Sequence, residues 1–260
     1  MAKQNRRAVQ DRRDAKKEGR TRQEVQPQKF QEERKASVIP LTAKNENQKK
    51  ALQLMATKQC TVLLGSAGSG KSELMGWHAS KRWLEGDVEN IMITRPNKVL
   101  GNEAGHIPGN DFMKMLPFCM SVLLKLKKYL GAGILKNNLR TEDVDVLFNE
   151  QAGIQIVSLE KLQGISVSPT SILIAEEIQN ATVAQVKSLL TRMEEGAQII
   201  ITGDVTQSAL TGENGLSYLL RKIQTHPHDE VGFVEFTPED CCRLGVSAHF
   251  TKVFEQDGQW

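Results

Sequence analysis
Gly65-Ser66-Ala67-Gly68-Ser69-Gly70-Lys71-Ser72 follows the apolar run Thr61-Val62-Leu63-Leu64 and precedes a helix-patterned stretch from Ser72 to Trp83. No other segment restricts the fold as strongly. The spacing G-x-x-x-x-G-K-S is that of a phosphate-binding loop, which requires a buried strand before it and a helix N-terminus after it. Glycines let backbone N–H groups converge on phosphate oxygens without Cβ atoms in the way, and the helix adds the positive end of its dipole. In such a loop Gly65, Ser66, Ala67, Gly68, Ser69, Gly70, Lys71 and Ser72 form the cradle. Lys71 reaches the terminal phosphates and the Ser72 hydroxyl ligates Mg²⁺. The segment therefore implies binding of a nucleoside triphosphate.

The rest of the chain fits a sheet built around that strand. Apolar runs at 61–64, 91–94, 154–159, 172–175, 198–202 and 232–236 predict six strands. Helical patterns open at Asn47-Gln48 and cover 72–85, 112–130 and 182–195. Strands alternating with helices predict an α/β fold: one P-loop, RecA-like domain with a mainly parallel sheet and helices on both faces. Its ligand is expected at the carboxyl ends of the strands.

The boundary of that domain is set by composition. Residues 1–36 hold twelve Lys/Arg against six Asp/Glu and almost no large apolar residue, whereas the remainder carries 22 basic and 25 acidic residues. Such a segment cannot offset its ordering entropy by burial, so a basic, flexible N-terminal arm at 1–36 and a domain at 37–260 are expected. The arm either holds nucleic acid through salt-sensitive phosphate contacts or serves as a solubilising tail. No apolar run is long enough to cross a bilayer and no apolar leader opens the chain, so neither a membrane nor a signal peptide is expected. Cys60, Cys119, Cys241 and Cys242 match neither zinc-site nor disulfide spacing, which suits the reducing cytoplasm of a bacterium or of a phage's host.

Two further strand ends carry chemistry. Ile172-Leu173-Ile174-Ala175 runs into Glu176-Glu177, with Glu176 expected beside Mg²⁺ and Glu177 placed to orient or activate the attacking water. Ile199-Ile200-Ile201-Thr202 runs into Gly203-Asp204-Val205-Thr206-Gln207, where Gln207 is suited to sense the γ-phosphate or the water.

Taken in order, these segments make the chain resemble the PhoH family of ATPases, whose core is similar to the first motor domain of superfamily 1 helicases. The resemblance rests on Asn47-Gln48, Thr94-Arg95-Pro96, Gly105-His106-Ile107-Pro108-Gly109 and Glu177-Ile178-Gln179-Asn180. Thr191-Arg192, Thr202 to Gln207 and Glu239-Asp240-x-x-Arg243 complete the series, so that it spans about Asn45 to Phe254. It implies that Gln48 contacts the adenine edge. It also implies a homo-oligomer, a ring or hexamer, in which one arginine acts across a subunit boundary. Arg192 and Arg243 are the candidate cations for the transferring phosphoryl group, or else form structural salt bridges. Three departures stand out: the family's metal-side aspartate is Glu176, Leu162-Gln163-Gly164-Ile165-Ser166 lacks two arginines of the family pattern, and the basic N-terminal arm is not part of the shared core.

The expected activity is Mg²⁺-dependent hydrolysis of ATP to ADP and phosphate, helicase-like and coupled to RNA or DNA. The competing expectation is a nucleotide-gated nucleic-acid-binding module with little turnover. Within 121–130, Leu123, Leu126 and Leu130 are expected to pack on the sheet while the lysines stay solvated.

Overall fold
Strands buried on both faces read as unbroken apolar runs, and five of the six expected strands are of that kind; the sixth, at 232–236, is an edge strand with Phe233 and Glu235 exposed. The computed structural model describes residues 38–65, 68–96, 111–141 and 153–256. Among these, β1 is Cys60–Gly65, β2 Asn90–Thr94, β3 Leu139–Arg140, β4 Gly153–Ile156, β5 Ser171–Ala175, β6 Gln198–Gly203 and β7 Val231–Phe236. The seven are ordered β3-β4-β2-β5-β6-β1-β7, and every described pairing is parallel. The helices are α1 (Glu46–Thr57), α2 (Lys71–Glu85), α3 (Asp111–Leu130), α4 (Ala132–Asn138), α5 (Leu159–Leu162), α6 (Val183–Leu190), α7 (Gly215–Thr225) and α8 (Gly245–Gln256). The basic arm expected at 1–36 and the Gly105–Gly109 segment lie outside the described residues.

Both faces of the sheet are covered. Val62, Leu64, Leu173, Ile199 and Ile201 point one way and pack against Val186 and Leu189 of α6 and Leu216 and Leu219 of α7. The alternate residues Leu63, Ile91, Ile93, Ile172, Ile174 and Ile200 are equally buried on the other face, the side of α1, α2 and α3. Each such side chain contributes roughly 1.5–3 kcal/mol relative to exposure. In α3, Val122, Leu123, Leu126 and Leu130 are buried while Lys127 and Lys128 are exposed, as the amphipathic pattern implies. All four cysteines are free, with Cys60 and Cys119 in the core.

Two boundaries and one strand differ from those expected from the sequence. Strand β4 stops at Ile156 because Ser158 caps α5, its hydroxyl accepting from the Lys161 amide at 3.3 Å. Helix α6 ends at Leu190 rather than 195: the Val167 amide donates to the Arg192 carbonyl at 2.8 Å and the Glu194 amide to the Val167 carbonyl at 3.1 Å. That parallel bridge draws 191–194 out of helical geometry. Strand β3 has no signature in the sequence, since two residues are too few to show a period.

One buried polar node ties three elements together. His78 of α2 bonds Gln198 Oε1 of β6 through Nε2 at 2.8 Å, and Gln198 Nε2 donates to the carbonyls of Met55 and Lys58 at 2.6 and 2.8 Å. Burial pushes the His78 imidazole down to about 4 from its usual 6.5; Arg82 and Lys81 add to this, and the Gln198 bond opposes it. Between those pH values the unfolded chain binds the proton and the folded chain does not. The stability is therefore intact above pH 6.5 and is lost as pH falls toward 4. A loss on the order of 3 kcal/mol is expected over that window. Denaturant unfolding at pH 7, 5.5 and 4 should show this slope in the wild type. It should be largely absent in His78→Gln, which keeps a donor toward Gln198 but does not titrate.

Candidate active site
The phosphate loop is shaped by what lies behind it. Gly65 ends β1 with φ of 107°, and a Cβ there would fall 2.0 Å from the Phe236 carbonyl oxygen at the end of β7. Gly70 closes the loop at φ of 90°, and α2 begins there without a side-chain cap. A helix begun this way offers its first-turn amides and positive dipole end to an anion. Ser66 and Ala67 lie outside the described residues. Lys71 Nζ rests on the Gly65 carbonyl at 2.5 Å and the Ser69 hydroxyl at 3.2 Å. Burial lowers the pKa of its ammonium, and Asp204, Glu177 and Glu176 work against that. A cleft of about 610 Å³ opens onto Gly68, Gly70, Lys71, Ser72, Glu177 and Arg243.

The carboxylates reach the same place from the neighbouring strand ends. Glu176, just past β5, is 5% exposed. Its Oε1 accepts from the Ser72 hydroxyl at 2.9 Å and its Oε2 from the Ser121 hydroxyl at 2.5 Å. Burial raises its pKa, while the two hydroxyl bonds and Arg95 pull it back. A hydroxyl beside one carboxylate is an all-oxygen donor set, the kind Mg²⁺ uses together with phosphate oxygens and water. Among the described residues no group of three or more His, Cys, Asp or Glu side chains could hold a metal. The donors present thus fit a cation that arrives with a phosphate ligand.

Glu177 follows in the left-handed region, φ 56° and ψ 38°, alone among the described non-glycine residues. Such a conformation stores about 1–3 kcal/mol and is found disproportionately at functional sites. Its Oε2 accepts from Gln179 Nε2 at 2.8 Å, and Gln179 Oε1 accepts from the Asp204 amide at 3.2 Å. Gln207 Nε2 donates to Asp204 Oδ2 at 3.1 Å. A continuous polar chain thus links the Glu177 carboxylate to Gln207. Gly203 makes it possible, since a Cβ there would fall 2.5 Å from Gln179 Oε1.

Not every anticipated residue takes the place foreseen for it. Gln48 borders the cleft and is tied to the loop: its Nε2 donates to the Ser69 carbonyl at 2.9 Å and Cys242 Sγ at 3.1 Å, and its Oε1 accepts from the Lys44 amide at 2.8 Å. Its amide braces the loop from the lining of the same cleft, and its Oε1 keeps a second lone pair for a further donor. Arg243 is brought to the site; a Cβ on Gly68 would lie 2.8 Å from its side chain. Arg192 is not. It is exposed, in the turn between α6 and the start of β6, at the opposite end of the strands.

Several participants carry no mark of their role in the sequence. Ser121 sits at an exposed helix position outside any motif. Cys242, at an unspecified position of its segment, donates its amide to the Gly68 carbonyl at 2.9 Å. Asn47 and Asp240 belong to segments already marked, but only the fold shows that Asn47 Nδ2 donates to Asp240 Oδ2, at 2.7 Å. Gln179 and Asp204 stand inside recognisable motifs, but only the fold shows that they meet.

Comparison with known proteins agrees with this arrangement. The family model described as PhoH-like protein matches residues 40–255. Protein PhoH of Escherichia coli (strain K12) is 32% identical over 210 residues, covering 80% of this chain and 56% of that protein. Protein PhoH2 of Bacillus subtilis (strain 168) is 29% identical over 194 residues, covering 71% and 42%. The chain thus spans about half the length of these relatives. Among solved structures, the large terminase from a thermophilic bacteriophage superposes with a TM-score of 0.50 at 13% identity. It covers 80% of this chain and 49% of the terminase, a likeness of fold. With a family match across nearly all of the described body, and the phosphate loop, paired carboxylates and Gly-Asp-x-x-Gln turn converging at the strand ends, the chain belongs to the PhoH-like family.

Proposed function
We propose that this chain is a Mg²⁺-dependent ATPase that converts ATP and water to ADP and phosphate. The observation that carries this reading is the Ser72–Glu176 hydrogen bond, which puts a buried carboxylate beside the hydroxyl next to Lys71. The first-turn amides of α2 and the Lys71 ammonium bind the phosphates. Ser72 and Glu176 would hold Mg²⁺. When bound, Mg²⁺ supplies charge neutralisation across the phosphate oxygens. Glu177, bordering the cleft, orients the attacking water and accepts its proton as the oxygen–phosphorus bond forms. Gln207, joined to Glu177 through Asp204 and Gln179, registers the presence of the γ-phosphate. Arg243 stabilises charge on the transferring group from within the same chain.

Hydrolysis is coupled in this reading to RNA or DNA, with a homo-oligomer as the working unit. Arg192 lies too far from its own site to act there, so any catalytic part it plays is on a neighbouring copy. The second reading, a nucleotide-gated binding module with little turnover, draws on Glu176: a glutamate is one methylene longer than the family's aspartate, and geometry near a metal is exacting.

Lys71→Ala should abolish measurable ATP binding. Glu177→Gln should keep binding within a few fold while lowering steady-state turnover about 10²- to 10³-fold. Equal turnover in both variants and the wild type would sink the catalytic assignment. ATP-responsive strand binding without hydrolysis by the wild type would favour the gated module instead.

Removal of residues 1–36, which carry an excess of six positive charges, tests the arm. If the arm supplies phosphate contacts, the slope of log affinity for single-stranded RNA or DNA against log salt should become shallower by several units. An unchanged slope assigns the strand contacts to the domain. Native mass measurement with and without ATP·Mg²⁺ checks the oligomer.

A further inference from the structure
Glu176 is gripped at both oxygens from two different helices. We infer that Ser121 of α3 is a positioning residue for the metal-side carboxylate, setting the Mg²⁺ affinity of the site; this rests on the nucleotide reading above. A glutamate ending a strand has three side-chain torsions to settle, and one hydrogen bond leaves its carboxylate plane free to turn. Ser72 takes Oε1 at 2.9 Å and Ser121 takes Oε2 at 2.5 Å, so the plane is fixed from both sides. A carboxylate has about four lone-pair sites. Two are occupied by the hydroxyls, and the others remain for a cation or its water.

The hydroxyl of Ser121 is itself held in place by the packing of α3. One turn before it, Arg95 beyond β2 donates Nη1 to the Phe118 carbonyl at 3.1 Å and lies over the Phe118 ring at 6.0 Å. One turn after it, Lys125 packs against Gly76 of α2, where a Cβ would fall 2.4 Å from Lys125 Cβ. Lys125 also pairs with Glu73 of α2 at 2.7 Å, and Lys128 and Tyr129 bond the same carboxylate. The helix is thus clamped on both sides of Ser121. Ser121 itself is solvent-exposed and contributes nothing to the core. Its one interaction with a buried group is the bond to Glu176.

The test reads metal affinity rather than turnover. Binding of a fluorescent ADP analogue is followed as free Mg²⁺ is raised, in the full chain. Ser121→Ala should raise the Mg²⁺ concentration for half-saturation about 10-fold, the usual scale for losing a partner of a metal-side carboxylate. Affinity for the analogue without Mg²⁺ should stay within about 2-fold, and Ser121→Thr, which keeps the hydroxyl, should restore the wild-type midpoint. Glu176→Asp draws the carboxylate back by one methylene, which is expected to break the bond to Ser121. In that background Ser121→Ala should therefore add less than about 2-fold, the mark of two groups acting through one bond. An unchanged midpoint in Ser121→Ala, or an undiminished effect in the Glu176→Asp background, overturns the inference while leaving the nucleotide reading intact. Failure of the wild type to bind the analogue removes the nucleotide reading and the role of Ser121 with it.

Discussion
The parallel registry of β5, β6 and β1 is the constraint on which the site depends. These strands are neighbours in the sheet, with Ala175 opposite Ile201 and Leu64 opposite Gly203, so their carboxyl ends open at the same edge of the sheet. The phosphate loop, the two glutamates and the Gly-Asp-x-x-Gln turn are far apart in sequence and leave the sheet side by side. Burial on both faces enforces the registry. A slip by one residue would exchange the two packed faces of every strand, at a cost of several large side chains.

Support for the loop comes from the far end of the chain. Strand β7 blocks any side chain at position 65, and the segment after it returns to meet the Gly68 carbonyl through the Cys242 amide. Helix α1 adds the Gln48 bond to Ser69 and, through Asn47, a bond to Asp240. Gly65, Gly68 and Ser69 are thus held by their neighbours. Contacts made in advance remove an ordering cost that binding of a ligand would otherwise carry. The same contacts explain the placement of Gln48, whose amide is engaged in holding the loop.

Polar groups in the site are arranged around opposing demands. Burial works against the charge on both Lys71 and Glu176, and each is opposed by neighbours: carboxylates for the lysine, hydroxyls and Arg95 for the glutamate. Glu177 avoids deep burial but adopts a strained backbone, which turns it toward the cleft and into contact with Gln179. Strain and desolvation gather where three strand ends meet, and the aliphatic sheet behind them supplies the stability that tolerates both.

The sequence by itself determined the strand–loop–helix unit, five further strands, the pairing of Glu176 with Glu177 and the family. Each of these is written in local spacing: apolar runs of strand length, glycines at set intervals, charges at the end of an apolar run. Only the tertiary structure decided the sheet order, the bond of Gln48 to Ser69, the arrival of Arg243 and the distance of Arg192. It alone brought Ser121 to Glu176 across 55 residues and joined Glu177 to Gln207 through Gln179 and Asp204. A serine on an exposed helical turn carries no periodic signal, because its partner is chosen by how α3 packs on α2. Contacts of that kind are set by the packing of whole elements, which no local pattern of residues records.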